Sequence, residues 1–234
     1  MNITNFSALY PNKIQRVLRR VQPYSVIPQI FLKGQPFVFD FTKENKILSK
    51  IDLHDTRASS SYINEELSRA GRRLGIGRYG EDRTIYRSSL YTSEREARSV
   101  HLAIDLFVPS GTPIFSPFNG IIHSFQDNNN FLDYGPTIIM EHSLEGIKFY
   151  ILYGHLSRGS LKKINVGQNV TAGEKIAVVG RSDVNGHWPP HLHFQIITDT
   201  LGFKGDFPGV ARPSEKDYYL RLCPNPNIIL QLPT

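Results

Sequence analysis

The stretch Pro189-Pro190-His191-Leu192-His193-Phe194-Gln195 sets two imidazoles one residue apart in an apolar, β-prone run. Successive side chains of a strand alternate faces, so His191, His193 and Gln195 line one surface while Leu192, Phe194 and Ile196 line the other. This is a strand with a working face and a core face. His101-Leu102-Ala103-Ile104-Asp105 repeats the design earlier in the chain. On one strand His101, Ala103 and Asp105 share a face, the small Ala103 leaves room between imidazole and carboxylate, and Leu102, Ile104 and Leu106 turn to the core.

Around these two stretches, from about Arg98 onward, short β-prone runs are punctuated by glycine and proline: Thr112 to Phe118, Gly120 to Phe125, Thr137 to His142, Ile147 to Tyr153, Asn169 to Val179 and His191 to Thr198. No helical pattern separates them, which disfavours a parallel α/β sheet. The expected fold class is mainly β: an antiparallel sheet core over residues 98–198, a small α+β region over 1–97 and an extension with a short helix over 199–234. Within the N-terminal region, Ile14, Val17, Leu18 and Val21 recur at helical spacing opposite Lys13, Arg16, Arg19 and Arg20. Such a basic amphipathic helix can lie on a membrane, but at this length it is expected to dock on its own domain. Val26 to Phe41 predicts short strands, and a second helix is expected from Tyr62 to Leu74 with Ser61 as its cap. The G-x-G-x-x-G at Gly75 to Gly80 follows a helix rather than a strand, so it reads as a glycine-rich turn and not a dinucleotide site. Thr84-Ile85-Tyr86 reads as strand. Ser214 to Asp217 resembles the opening of a helix that reaches Leu222.

With 234 residues, 40% of them hydrophobic, the chain can bury a sizeable core. Its net charge of +6 comes without any nucleic-acid recognition motif. A single cysteine, Cys223, excludes an internal disulfide and a multi-cysteine zinc cluster, so metal ligands must be histidines and carboxylates; Cys223 itself reads as a buried small hydrophobe. The first 30 residues lack the apolar core of a secretory signal and no stretch is long enough to span a membrane. The location expected from sequence is cytoplasmic, with non-classical export left open.

His193 joined to His101 and Asp105 makes a two-histidine, one-carboxylate set of the kind that holds catalytic zinc with a position left for water. Leu152-Tyr153-Gly154-His155-Leu156 adds a histidine at the end of an apolar strand. Together these pieces resemble the lysostaphin-type zinc endopeptidases, whose pattern joins H-x-x-x-D, Tyr-x-His-Leu and a final H-x-H. Gly111-Thr112-Pro113-Ile114, Gly120, Gly167-Gln168-Asn169-Val170, Gly173 and Gly180 extend the resemblance from about Arg98 to Thr198. It implies a lysostaphin-like duplicated hybrid motif, zinc held by His101, Asp105 and His193, catalytic His155 and His191, and peptide cross-links of peptidoglycan as substrate. A cytosolic zinc amidohydrolase acting on a small peptide or amide, and a non-catalytic regulatory module, are the alternatives. Departures from the pattern are Ala103 for a common glycine, Pro189-Pro190 for Gly-Pro, and Gln195 for Glu. Arg78 to Arg83, Asn185 to Pro190 and Cys223 to Pro226 resemble a subgroup sometimes attached to kinase-like and aminotransferase domains. His187 reads as a loop histidine; His54, His123 and His142 read as structural. As in some relatives, the N-terminal region could instead shield the cleft, with Asn45 or His54 reaching the metal.

Overall fold

Runs rich in Ile, Val, Phe and Tyr, cut by glycine at short intervals, favour strands over helices, and they form strands in the computed structural model. It describes residues 10–86 and 96–233; residues 1–9, part of the stretch read for a secretory signal, lie outside them. In chain order the elements are α1 (Tyr10–Leu18), β1 (Phe37–Phe39), α2 (Thr56–Arg69), β2 (Gly75–Gly77), β3 (Val100–His101), β4 (Ile104–Phe107), β5 (Pro113–Phe115) and β6 (Gly120–Asn128). They continue as β7 (Gly135–Leu144), β8 (Ile147–Gly154), β9 (Asn169–Val170), β10 (Lys175–Val178), β11 (Leu192–Ile197), β12 (Val210–Ala211), α3 (Lys216–Leu222) and α4 (Asn227–Leu230). An eight-stranded sheet runs in the order β1-β2-β4-β11-β8-β7-β6-β9. Only β1 and β2 pair in parallel; the other neighbours are antiparallel.

One core cluster joins Leu106, Met140, Ile151, Tyr153, Phe194 and Ile196 of the sheet to Ile14 and Leu18 of α1. The basic helix therefore docks on its own domain, as its apolar stripe demands. A second cluster gathers Leu102, Ile139, Leu152, Ile197 and Phe207 around the buried Cys223. A third, aromatic cluster packs Phe39, Phe41, Tyr62, Ile63, Ile85 and Tyr86 of the N-terminal region against Phe107 and Trp188.

Several local expectations are corrected. Between Val26 and Phe41 only β1 forms, because Pro28, Gly34 and Pro36 interrupt pairing. The second helix starts at Thr56, not Tyr62: the carboxylate of Asp55 accepts from the N–H groups of Arg57 at 2.7 Å and Ala58 at 3.2 Å, so Asp55 and not Ser61 is the cap. It ends at Arg69, and Leu74 packs in the core beyond it. The glycine-rich segment is only half a turn: Gly75 to Gly77 form β2, between β1 and β4, and the turn is confined to Tyr79 and Gly80, where Gly80 has φ of +70°. A Cβ at Gly75 would stand 2.4 Å from Cε2 of Phe39, so the aromatic ring claims the space a side chain would take. Thr84-Ile85-Tyr86 is turn and coil rather than strand.

The stretch from His101 to Asp105 is not one continuous strand. β3 pairs with β12 in a separate small sheet, β4 joins the large one, and Leu102 donates its N–H to the carbonyl of Gly209 at 2.9 Å between them. The bend sends Leu102 to the Cys223 cluster and Ile104 and Leu106 to the α1 cluster. Residues 169–179 divide into β9 and β10 around a turn in which the Glu174 carboxylate accepts from the N–H of Thr171 at 2.9 Å. Ser214 does not cap α3; its N–H and hydroxyl both bond the carboxylate of Glu96.

Candidate metal centre

Strands β4, β11 and β8 lie side by side, and their register sets Asp105 opposite His193 and His193 opposite Gly154. His101 reaches the same place from the end of β3, across the bend. His155 follows β8 with φ of +61°, a left-handed conformation that costs a non-glycine residue on the order of 1 kcal/mol. That conformation is held from both sides: its N–H donates to the carbonyl of Tyr134 at 2.9 Å, and its own carbonyl accepts from Gly180 at 2.8 Å. The result aims the imidazole at His191, ring centroids 4.1 Å apart.

A backbone carbonyl can only accept, so each carbonyl beside a histidine fixes which ring nitrogen carries the proton. Nδ1–H of His101 donates to Arg78 at 3.0 Å, that of His155 to Asn185 at 2.9 Å and that of His191 to Pro189 at 2.7 Å. In all three the Nε2 lone pair is left over. His193 is turned the other way. The amide nitrogen of Gln195 donates to the carbonyl of Pro208 at 3.0 Å and to Sγ of Cys223 at 3.3 Å, which leaves its oxygen to accept from Nε2–H of His193 at 2.9 Å. The lone pair of His193 is therefore on Nδ1.

His101 Nε2, His193 Nδ1 and Asp105 Oδ1 then face one another with no proton between them. The separations are 3.2 Å for His101 to Asp105, 3.3 Å for His193 to Asp105 and 3.3 Å for His101 to His193. Asp105 Oδ1 is buried without a hydrogen-bond donor. Three lone pairs crowded into a buried triangle repel unless a cation sits among them. A tetrahedral zinc with ligands at about 2.0–2.1 Å requires ligand-to-ligand edges of about 3.3 Å, so the residues present fit that ion. Among the described residues this is the group of histidine, cysteine or acidic side chains arranged to hold a metal. Asn45 is not part of it: its side-chain amide donates to the carbonyl of Asp40 at 2.8 Å and the hydroxyl of Tyr62 at 3.2 Å. The ring of His54 packs on Phe131 instead.

The surroundings favour the neutral form of His101, His155 and His191 and the charged form of Asp105. Burial lowers His101 to about 4, with the charge of Arg83 acting in the same direction. Burial lowers His155 well below its ordinary value, helped by His191 and His193, and burial likewise lowers His191. For Asp105 burial alone would raise the carboxyl, but His101 and Arg83 reverse this and hold it well below the usual range.

Arg83 is the residue that motif reading missed. Its buried guanidinium donates to Asp105 Oδ2 at 2.7 Å, Glu81 Oε2 at 3.0 Å, the hydroxyl of Tyr86 at 3.1 Å and the carbonyl of Arg78 at 3.3 Å, and it lies 5.1 Å over the ring of Phe41. By occupying Oδ2 it leaves Oδ1 as the outward-facing donor of the carboxylate. Gly77 makes room for this pair, because a Cβ there would stand 2.6 Å from Arg83 Nη2 and 2.9 Å from Asp105 Oδ2. Arg83 belonged to a stretch singled out by resemblance, yet no spacing rule connects it to a carboxylate 22 residues further on. His155, His191, His193 and Asp105 open on a cavity of ≈ 380 Å³ whose other walls come from the N-terminal region, from residues 132–134 and 188–189 and from residues 203–210. His187 is exposed, its ring beside that of Phe131, while the buried His142 is held through Nδ1 by the carbonyl of Asn119 at 3.0 Å.

Residues 99–203 match the sequence profile of Peptidase family M23. Over this stretch the chain is similar to the M23 peptidases. His101, Asp105, His155, His191 and His193 all fall inside the M23 match, whereas Arg83 and Glu81 fall outside it. An uncharacterized metalloprotease of Haemophilus influenzae is 25% identical over 179 residues, covering 70% of this chain and 35% of that protein. The chain thus spans about a third of that curated relative. Among solved structures, a zinc-containing peptidase from Vibrio cholerae is 29% identical with a TM-score of 0.34, over 43% of this chain and 28% of the other. The catalytic domain of the antimicrobial peptidase lysostaphin from Staphylococcus simulans is 26% identical with a TM-score of 0.37, over 52% of this chain and 80% of the other.

Proposed function

We propose that the chain is a zinc-dependent peptidase, with His101, Asp105 and His193 as the metal ligands and His155 and His191 as the catalytic histidines. The observation that carries this reading is the buried, unpartnered Asp105 Oδ1 facing two imidazole lone pairs at 3.2 and 3.3 Å. Zinc held by such a set supplies Lewis acidity, making water a stronger acid and a carbonyl more electrophilic.

The chain's own residues then handle protons. Water adds to the carbonyl carbon of the peptide bond, the C–N bond breaks, and the proton lost by the water ends on the leaving nitrogen. The Nε2 lone pairs of His155 and His191 are the acceptors turned toward that chemistry, since Asn185 and Pro189 hold each Nδ1–H on the far side. Once protonated, an imidazole donates from Nε2 to the leaving amine. His191 Nε2 lies 3.8 Å from Asp105 Oδ1, so a charge gained there meets a carboxylate. Gln195 and Arg78 hold the tautomers of His193 and His101, and Arg83 fixes the rotation of Asp105.

Peptide cross-links of peptidoglycan are the substrate we assign on the family resemblance. Metal analysis paired with product identification on defined cross-link peptides tests both parts. The expected result is one zinc per chain and a new amine and carboxylate for each bond lost. Stoichiometric zinc with intact peptides would remove the substrate; absence of zinc after loading would remove the site.

A further inference from the structure

Beyond the M23 match, which ends at residue 203, the chain returns to the metal centre. Phe207, Pro208 and Gly209 present three successive backbone carbonyls, and each accepts from a group that adjoins a ligand. Phe207 accepts from the hydroxyl of Tyr134 at 3.0 Å, Pro208 from the side-chain amide of Gln195 at 3.0 Å, and Gly209 from the N–H of Leu102 at 2.9 Å. Gln195 is the residue that orients His193, and Leu102 directly follows His101. One residue further on, Val210 pairs opposite His101 between β12 and β3. The large sheet sets Asp105 against His193 but does not carry His101, which stands in the small sheet. The segment 207–210 is bonded both to the strand of His101 and to the side chain that turns His193.

Tyr134 secures this segment from inside the M23 match. It is buried, its ring meets that of His193 edge-on at 5.0 Å and lies 5.7 Å from that of His155, and its carbonyl accepts from the N–H of His155 at 2.9 Å. Its hydroxyl oxygen is 3.5 Å from Nε2 of His193, the nitrogen on the far side of the ring from the triangle. Two glycines make its space: a Cβ at Gly154 would stand 2.8 Å from its Cδ1, and a Cβ at Gly209 would overlap its hydroxyl.

We propose that Phe207-Pro208-Gly209, locked by the Tyr134 hydroxyl, is a brace that sets His101 and His193 at the spacing zinc requires, and that Tyr134 is a positioning residue of the metal centre. The inference rests on zinc binding at the triangle and not on the identity of the substrate. It gives the C-terminal extension a task at the site: a ligand set drawn from two sheets needs a segment that is bonded to both.

The test uses the full chain, with zinc affinity measured by chelator competition and the melting temperature of the metal-free protein measured beside it. Tyr134→Phe keeps the ring and removes the donor to Phe207; zinc affinity is expected to weaken about 3- to 10-fold. Thr198→Val is the control, because it removes a hydroxyl that bonds the extension at the Leu222 carbonyl, 2.9 Å away, without touching the brace. Both variants are expected to melt about 2–4 °C lower, as the loss of one hydrogen bond predicts for a chain of this size, but Thr198→Val is expected to hold zinc within about 2-fold of the parent. Gly209→Ala, which drives a methyl into the Tyr134 hydroxyl, is expected to weaken zinc at least about 10-fold. Adding Tyr134→Phe to Gly209→Ala removes the atom in the way and is expected to recover part of that loss. Unchanged zinc affinity in Tyr134→Phe and Gly209→Ala, or an equal loss in Thr198→Val, overturns the brace and leaves the metal centre in place. If Gly209→Ala fails to fold, the contrast between Tyr134→Phe and Thr198→Val decides alone. A parent chain that takes up no zinc overturns the metal centre and the brace together.

Discussion

The two walls of the cleft are made by different stretches of chain and by different kinds of contact. The wall formed by β4, β8 and β11 presents lone pairs: two imidazoles and a carboxylate oxygen in a triangle, and two more imidazoles beside it, each oriented by an acceptor on its far nitrogen. The facing wall, from residues 37–86, presents aromatic rings and one buried arginine whose donors point away from the cavity into Asp105 and Glu81. One wall supplies reactive atoms, and the other supplies shape and holds one of those atoms still. Local spacing can write the first kind of wall, because a strand puts every second residue on one face. The second kind depends on residues brought together only when the chain has folded.

The contrast is broken most severely on the polar wall. His193→Ala is expected to lose stoichiometric zinc and with it measurable hydrolysis, read by metal analysis and by product formation. His155→Ala and His191→Ala remove proton acceptors but no member of the triangle, so each is expected to keep zinc while kcat falls about 10²- to 10⁴-fold. If either variant lost the metal in step with activity, the division of labour among the histidines would be wrong.

The next effect lies on the facing wall. Arg83→Met leaves Asp105 buried without its arginine and Glu81 with Arg78 alone, which costs on the order of 3–5 kcal/mol of stability. As a positioning residue, Arg83 has a second signature: zinc affinity measured by chelator competition is expected to weaken about 10- to 100-fold. Arg83→Lys keeps a charge without the planar fork, and is expected to recover part of the stability and less of the affinity. A variant with a lower melting temperature and unchanged zinc affinity would reduce Arg83 to a structural role.

Smaller changes sharpen the same comparison. Gln195→Leu removes the acceptor that fixes Nδ1 of His193 as the lone-pair atom, and about a 10-fold loss of zinc affinity is expected at nearly constant fold. Gly77→Ala pushes a methyl between Arg83 and Asp105, with an expected loss of about 1–3 kcal/mol read from denaturant melts.

These differences also mark what the sequence could reveal. His191, His193 and Gln195 were placed on one face by alternation alone, and the short β-prone runs after Arg98 anticipated the antiparallel core. The pairing of His101 with Asp105 was read from alternation along a continuous strand, whereas the chain bends at Leu102-Ala103 and the two side chains converge across that bend. The start of α2 was displaced because three serines in succession obscured Asp55, the stronger cap. Gly75 to Gly80 was read as a turn because a helix precedes it; its first three residues pair with β1 and β4 instead, and glycine is needed there to clear the ring of Phe39 and the Arg83–Asp105 pair, neither of which has a local signature. The role of Arg83, a residue picked out only as part of a resembling stretch, had no local signature either: it is a tertiary contact with a carboxylate 22 residues away.

X-ray absorption at the zinc edge of the loaded full-length chain tests the central claim most directly, because it reports ligand type without requiring a substrate. The account predicts one zinc per chain with two imidazoles in its shell, the remaining ligands oxygen, all at about 2.0–2.1 Å. His193→Ala is predicted to abolish that shell. A sulfur scatterer at about 2.3 Å would implicate Cys223, and an unchanged spectrum in the variant would leave His193 without its role; either result contradicts a centre built from His101, Asp105 and His193.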